Sequence, residues 1–384
     1  MTQIRALIEQ KLNDWREAGL LDEETARRIL SHEQALSPAG LQPGRGAAIA
    51  FGLGALALSA GIMLYVAAHW DLLGPLGRSA VLVTSIVLLH GGAALASTRL
   101  PALATSLHAA GTAAYGAAIF LAGQTFHLAE SWPQGLLLWA VGAAVGLVLL
   151  RDWPHTLWLA ILVPAWLGAL WAEHAGAIGT VVTSYGLLLL AIAYLGAVRH
   201  EPDSRWRRAL ARLGAICVLP LAAWHANVAV YREPARETWL AAPPEDLRAT
   251  LALGWIVAVA LPLLVGWLLR RRESWPLAVA ALLAAALIPL DASQPLQELL
   301  AYLIYGAGSA GIVAWGLRDG DRLRVNVGVL CFACTLLFFY FASLYERLDR
   351  ALGLVGVGLL LIGGGWWLER MRRQLLSRIE ETAR

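Results

Sequence analysis

Leu121-Ala-Gly-Gln-Thr-Phe-His127, continued by Leu128-Ala-Glu-Ser-Trp132 and the apolar run from Gly135 to Leu150, is the stretch that decides the fold. The run from Gly135 carries no charged residue before Leu150, and the Ala- and Gly-rich segment ahead of it is nearly as apolar. Two runs approaching the ~20 residues that cross a hydrocarbon core, joined by a short loop holding a histidine, an acid and a tryptophan, read as membrane helices meeting at an interface. Composition extends that reading to the whole chain. Hydrophobic residues make up 58% and charged residues 15% of 384, against roughly 45–50% and about 25% in soluble domains. The formal charge is only +3 and Lys11 is the only lysine, so no polybasic tract for nucleic acid exists.

Working outward, twelve apolar runs are expected to be spans: 47–68, 77–97, 102–126, 134–150, 155–172, 176–198, 209–230, 250–269, 275–290, 298–316, 325–345 and 351–368. Those at 134–150 and 275–290 are short, which suits a tilted or re-entrant segment. With the N-terminus inside, the inner loops hold thirteen arginines and the outer loops six. The excess of basic residues in cytoplasmic loops therefore predicts both termini on the cytoplasmic side. The expected fold class is an all-α polytopic integral membrane protein.

Ahead of the spans, residues 1–37 read as a cytosolic helical hairpin. Ile4, Leu7, Ile8, Leu12 and Trp15 recur at helical spacing, Gly19 is placed for a left-handed cap, and Asp22 is placed to cap a second helix opened by Glu23 and Glu24. A hairpin this small buries too little by itself, so it is expected to pack on the membrane domain, a second copy or a membrane-protein partner. Residues 38–46, with Pro38, Gly40, Pro43 and Gly44, form a linker; 47–369 form the membrane domain; 370–384 form a basic cytosolic helix. No cleavable signal peptide is expected, because the first 45 residues are charged and lack an apolar core.

Ionisable groups at membrane depth are costly and therefore informative. His90 and His108 fall at similar depth in adjacent spans and are placed to pair, as a proton relay or ligand contact or as neutral imidazoles bonded to carbonyls and hydroxyls. A second set gathers at span ends predicted to face outward: His69 with Asp71, Gln124 and His127 with Glu130, Glu173 with His174, and His225 with Asn227. These are candidates to line a vestibule, bind a transition metal or sense pH, or they are simply interfacial polar residues. No two of those histidines have a metal-motif spacing, so no metal site, catalytic residue or cofactor is assigned. Cys331-Phe-Ala-Cys334 lies inside a span among Leu and Phe and reads as small helical residues, not a redox pair. P-loop, H-E-x-x-H and G-x-S-x-G motifs are absent. Of the 17 tryptophans, Trp70, Trp132, Trp153, Trp171, Trp275, Trp366 and Trp367 fall at or near expected span ends, and most of them read as interfacial anchors.

Three segments resemble the bacterial membrane proteins grouped as domain of unknown function 2157: Gly19-Leu-Leu-Asp-Glu-Glu-Thr-Ala-Arg-Arg-Ile-Leu30, Ala68-His-Trp-Asp-Leu-Leu73, and Ala122-Gly-Gln-Thr-Phe-His-Leu128 before Trp139. The resemblance covers about residues 1–200, and the ending Leu360 to Arg373 is similar to related membrane families. It implies a cytosolic helical N-terminus, a multi-helix domain in the bacterial inner membrane, and a companion membrane protein bearing a GDYxxLxY motif; it implies no catalytic residues. Three functions remain open at this point: a transporter or channel-like protein for a small solute, ion or lipid; a non-catalytic subunit or envelope sensor engaging a partner through 1–37 or the outer loops; and a lipid or glycan enzyme using Asp71, Glu130 and His127.

Overall fold

The computed structural model describes residues 11–36 apart from 13 and 17, then 45–69, 72–125, 132–176, 179–198, 204–231 and 245–341, with 362, 363 and 370. All regular structure among them is helical. After the turn that follows Lys11–Arg16 come α1 (Glu23–Leu36), α2 (Arg45–Ala68), α3 (Pro75–Ala96), α4 (Pro101–Thr125), α5 (Trp132–Leu150), α6 (Trp153–Ala175) and α7 (Gly179–Leu195). Then follow α8 (Arg205–Ala226), which runs on through a π turn at Asn227–Tyr231, α9 (Glu245–Arg270), α10 (Trp275–Leu287), α11 (Pro295–Arg318) and α12 (Arg322–Phe339). The helices α2 to α12 coincide with the first eleven expected spans to within about six residues at each end. The twelfth, 351–368, and the helix expected over 370–384 lie outside the described residues, apart from the three isolated positions.

Seven helical runs among the described residues are long and apolar enough to cross a membrane, with α9 and α10 counted as one run. That supports an all-α membrane protein, whereas the expected count of twelve is larger than this criterion returns. The criterion covers the described residues alone, and for three helices the difference has a physical reason. α7 has 17 residues, about 25 Å at 1.5 Å per residue, and Thr105, Ser106, His108 and Thr112 dilute α4. α10 has 13 residues, about 20 Å. It is short of the ~30 Å core as a crossing of its own.

The chain divides into two compact units, 1–128 and 129–384. In the first, the hairpin turn follows the expectation. Gly19 has φ +69°, and the Leu20 N–H donates to the Trp15 carbonyl at 2.9 Å, closing the helix in a left-handed cap. The Thr25 side chain hydrogen-bonds the Asp22 carboxyl and holds it below the ordinary carboxylate range. On α3, Leu82, Ser85, Leu89 and Ala93 form one buried stripe at helical spacing. Val83, Val87, Leu88 and Leu95 on its opposite face are exposed and apolar, a face suited to lipid rather than water. α4 packs on both α2 and α3, presenting buried Ala110, Gly111, Thr112 and Ala114. Its small residues make it central to the three, as its composition predicts.

In the second unit, α7 is the central element. Buried residues surround it, from Val181 and Val182 through Ser184, Tyr185 and Leu188 to Leu195, as expected of a helix apolar all round. α6, α8, α9 and α10 all pack on it. The closest crossing is at Gly214 of α8, where an added Cβ would lie 2.3 Å from the Leu195 nitrogen and 2.5 Å from the Ala191 carbonyl oxygen. Because both are backbone atoms, Gly214→Ala is expected to force the helices apart and destabilise the protein by about 1–3 kcal/mol, the range for overpacking. A lowered melting temperature in detergent checks this; an unchanged one contradicts the crossing. Pro164 in α6 frees the Ala160 carbonyl, which the Tyr194 hydroxyl reaches at 3.1 Å.

Candidate functional site

α6, α7 and α9 enclose an apolar groove of about 550 Å³, within the range of small-molecule sites. Its length follows from helix geometry. Lining residues run from His174 to Pro164 on α6 and from Ala249 to Pro262 on α9, which at 1.5 Å per residue is about 15 Å and about 20 Å. That is close to one leaflet, half of the ~30 Å hydrocarbon core. Trp171, His174, Thr183 and Thr250 stand at one end, while Leu190, Leu261 and the two prolines stand at the other. Thr183 is held to its own helix, its hydroxyl donating to the Gly179 carbonyl at 3.1 Å.

Glycines shape the walls. Gly186 lies against Ala258, where a Cβ would sit 3.1 Å from the Ala258 Cα, bringing α7 close to α9. At Gly254 a Cβ would lie 2.1 Å from the Trp171 ring, so the indole occupies the space a side chain would take. The Trp171 Nε1–H donates to the Gly179 carbonyl at 3.0 Å and fixes the ring in that position. His174 Nδ1–H donates to the Leu170 carbonyl at 2.8 Å. That bond sets the neutral tautomer and leaves Nε2, at the groove's polar end, to accept a hydrogen bond.

Of the residues expected to form a site, His90 and His108 are brought together, Nδ1 to Nδ1 at 2.9 Å. His69 donates from Nδ1 to the Tyr65 carbonyl at 2.9 Å, its ring against Tyr65, and Gln124 is exposed at the end of α4. Asp71, His127 and Glu130 lie outside the described residues. His225 needs correction. Instead of an interfacial residue it is a fully buried one, Nδ1 paired with the Ser184 hydroxyl at 2.9 Å and Nε2 with the Ala284 carbonyl at 3.2 Å. The reason is that helical structure continues past it to Tyr231, keeping it inside the bundle. His174 opens to the groove and His225 is enclosed, so the two do not share a vestibule. No metal-ligating group of three or more is found among the described residues.

Sequence reasoning missed a second polar centre, read only as loop arginines. Arg324 is fully buried, donating from Nε to Asp321 at 2.7 Å, to Asp319, and to the Val198 carbonyl at 2.9 Å. Arg270, almost as buried, also reaches Asp319 and donates to the Gly196 and Val198 carbonyls at 3.2 and 3.1 Å. Arg207 closes the set through the Ala197 and Leu269 carbonyls, both at 3.0 Å. The Trp315 ring receives the Arg324 and Arg270 guanidiniums at 4.7 and 5.3 Å, a cation–π arrangement. Carbonyls left open at the end of α7 thus find guanidinium donors, and two carboxylates balance the two buried charges. The alternation Arg318-Asp-Gly-Asp-Arg-Leu-Arg324 was the available signal.

Burial raises the Asp319 carboxyl, but the hydrogen bond and charge of Arg324, with the charge of Arg270, outweigh it and hold the group below the ordinary value. A carboxylate with a depressed folded-state value contributes stability that is full above about pH 3.9 and is lost as pH falls through the folded-state value. Acid unfolding of the wild type is accordingly expected below the ordinary carboxylate range, and the acid limb of an unfolding profile should shrink in Asp319→Asn.

These features define a class: an all-helical membrane protein. Residues 13–156 match the family model described as Predicted membrane protein (DUF2157). The match takes in Gly19–Leu30, Ala68–Leu73 and Ala122–Leu128, the segments that carry the resemblance. No curated protein and no solved structure matches the chain.

Proposed function

We propose that the protein is a multi-pass protein of the bacterial inner membrane that binds a lipid-like amphiphile in the α6–α7–α9 groove, and that lipid is the substrate class of its transporter-like activity. The observation that carries this is the groove itself: one leaflet long, apolar through its depth, and polar at the end that holds Trp171, His174, Thr183 and Thr250. Helices that face hydrocarbon supply an acyl chain at high local concentration. The arginine distribution supports both termini in the cytoplasm, which places the polar end of the groove toward the outer leaflet.

A chain arriving from the bilayer leaves one apolar medium for another, so burial from water contributes no driving force. Selectivity must come from packing along the groove and from headgroup contacts at His174. The test is native mass spectrometry of the purified full-length protein titrated with phospholipids and single-chain amphiphiles. One saturable equivalent above the non-specific series is expected. Adducts that increase without saturation, for every headgroup alike, would contradict the proposal.

A further inference from the structure

His90 of α3 and His108 of α4 face each other with their Nδ1 atoms 2.9 Å apart and their ring centroids 5.2 Å apart. Two ring nitrogens at hydrogen-bond distance cannot both carry a proton: one donates and the other accepts. In the neutral pair the donor is the Nδ1–H tautomer, and the acceptor carries its own proton on Nε2. Adding one proton to the donor ring gives an imidazolium bonded to an imidazole, a charge-assisted bond of roughly twice the neutral strength. Adding a second would set two N–H groups and two positive charges against each other at that distance. The geometry therefore admits one added proton and opposes two.

The surroundings fix the pair in place. An added Cβ at Gly111 would lie 2.6 Å from His90 Nε2, so the ring rests directly on that glycine. The Thr112 hydroxyl donates to the His108 carbonyl at 3.1 Å. The titratable residues of the three packed helices are Arg45 and Tyr65 on α2, Arg78 and His90 on α3, and His108 and Tyr115 on α4. None of these helices carries a carboxylate, and sharing between the two rings spreads the charge over both imidazoles.

We infer that His90 and His108 together form a membrane-embedded binding site for a single added proton, taken up at Nε2 of the donor ring, whose charge the two rings share through the Nδ1–Nδ1 hydrogen bond. This stands independently of the groove, which lies in the other compact unit. The proton is the ligand, and the pair changes its charge by one as it loads.

The test uses full-length protein with 15N-histidine in nanodiscs, followed by NMR from pH 8.5 to pH 4.5, with His90→Gln and His108→Gln to identify the two rings. In the wild type, a coupling between two Nδ1 nuclei through the hydrogen bond is expected, and the two rings should change together with uptake of one proton in total. Each Gln variant should lose the coupling. Uptake of two protons at independent values, or no uptake by either ring, overturns the inference. The coupling needs only wild-type protein, so the test survives a variant that fails to fold.

Discussion

Asp319→Ala is expected to lower the unfolding free energy by about 3–5 kcal/mol, the range for removing one partner of a buried ion pair. Asp319 is the shared acceptor of Arg270 and Arg324, and both guanidiniums are almost completely buried. Without it, two positive charges face each other across Trp315, and among the described residues Asp321 and Glu273 remain as their acidic partners. The loss propagates, because the same arginines hold the Gly196 and Val198 carbonyls at the end of α7. Arg318→Ala is the control. Arg318 also touches Asp319, at 3.1 Å, but its side chain is 41% exposed, and an exposed pair contributes ~0–1 kcal/mol. Unfolding in mixed micelles should separate the two variants by several kcal/mol. Equal effects would mean that the buried network does not hold these loops together.

Filling the groove is the second large effect. Val257→Trp places an indole where the acyl chain is to lie, and since Val257 is partly exposed, the change adds bulk to the lining without overpacking a closed core. Loss of the saturable lipid equivalent is expected, with a melting temperature close to wild type. His174→Ala removes the polar end instead. A hydrogen bond from a headgroup ammonium to Nε2 is worth ~1.5–3 kcal/mol, so this variant should weaken binding of an amine-bearing lipid by about tenfold or more while leaving the groove open. Wild-type affinity in both variants would remove the groove from the account.

Much of the fold was legible because the constraint behind it is strict: a backbone in hydrocarbon must satisfy its own hydrogen bonds, so apolar length alone marks a helix. The expected 102–126 and the observed Pro101–Thr125 differ by one residue at each end. The turn at Gly19 was legible for a local reason, since the left-handed glycine and Asp22, which bonds Thr25, have roles fixed by their neighbours.

What failed was long-range. His90 and His108 could be matched by depth because their helices are consecutive in the chain. The groove joins Trp171, Thr183 and Gly254, and the arginine network joins Val198, Arg270 and Arg324; no periodicity encodes either. Loop arginines also carry a competing meaning, orientation, which absorbed the signal of Arg270 and Arg324 entirely. His225 was misplaced because the π turn at Asn227–Tyr231 extends the helix beyond the point where Asn227 suggested an exit.

The most direct test of the lipid-binding groove is photocrosslinking in nanodiscs with a phospholipid carrying a diazirine near the end of one acyl chain, competed by unlabelled lipid. The account predicts competable labelling in the 164–190 and 249–262 peptides, and its loss in Val257→Trp. Labelling confined to outward faces such as Leu137 to Leu149, unaffected by competitor, would show only the surrounding bilayer and contradict the site.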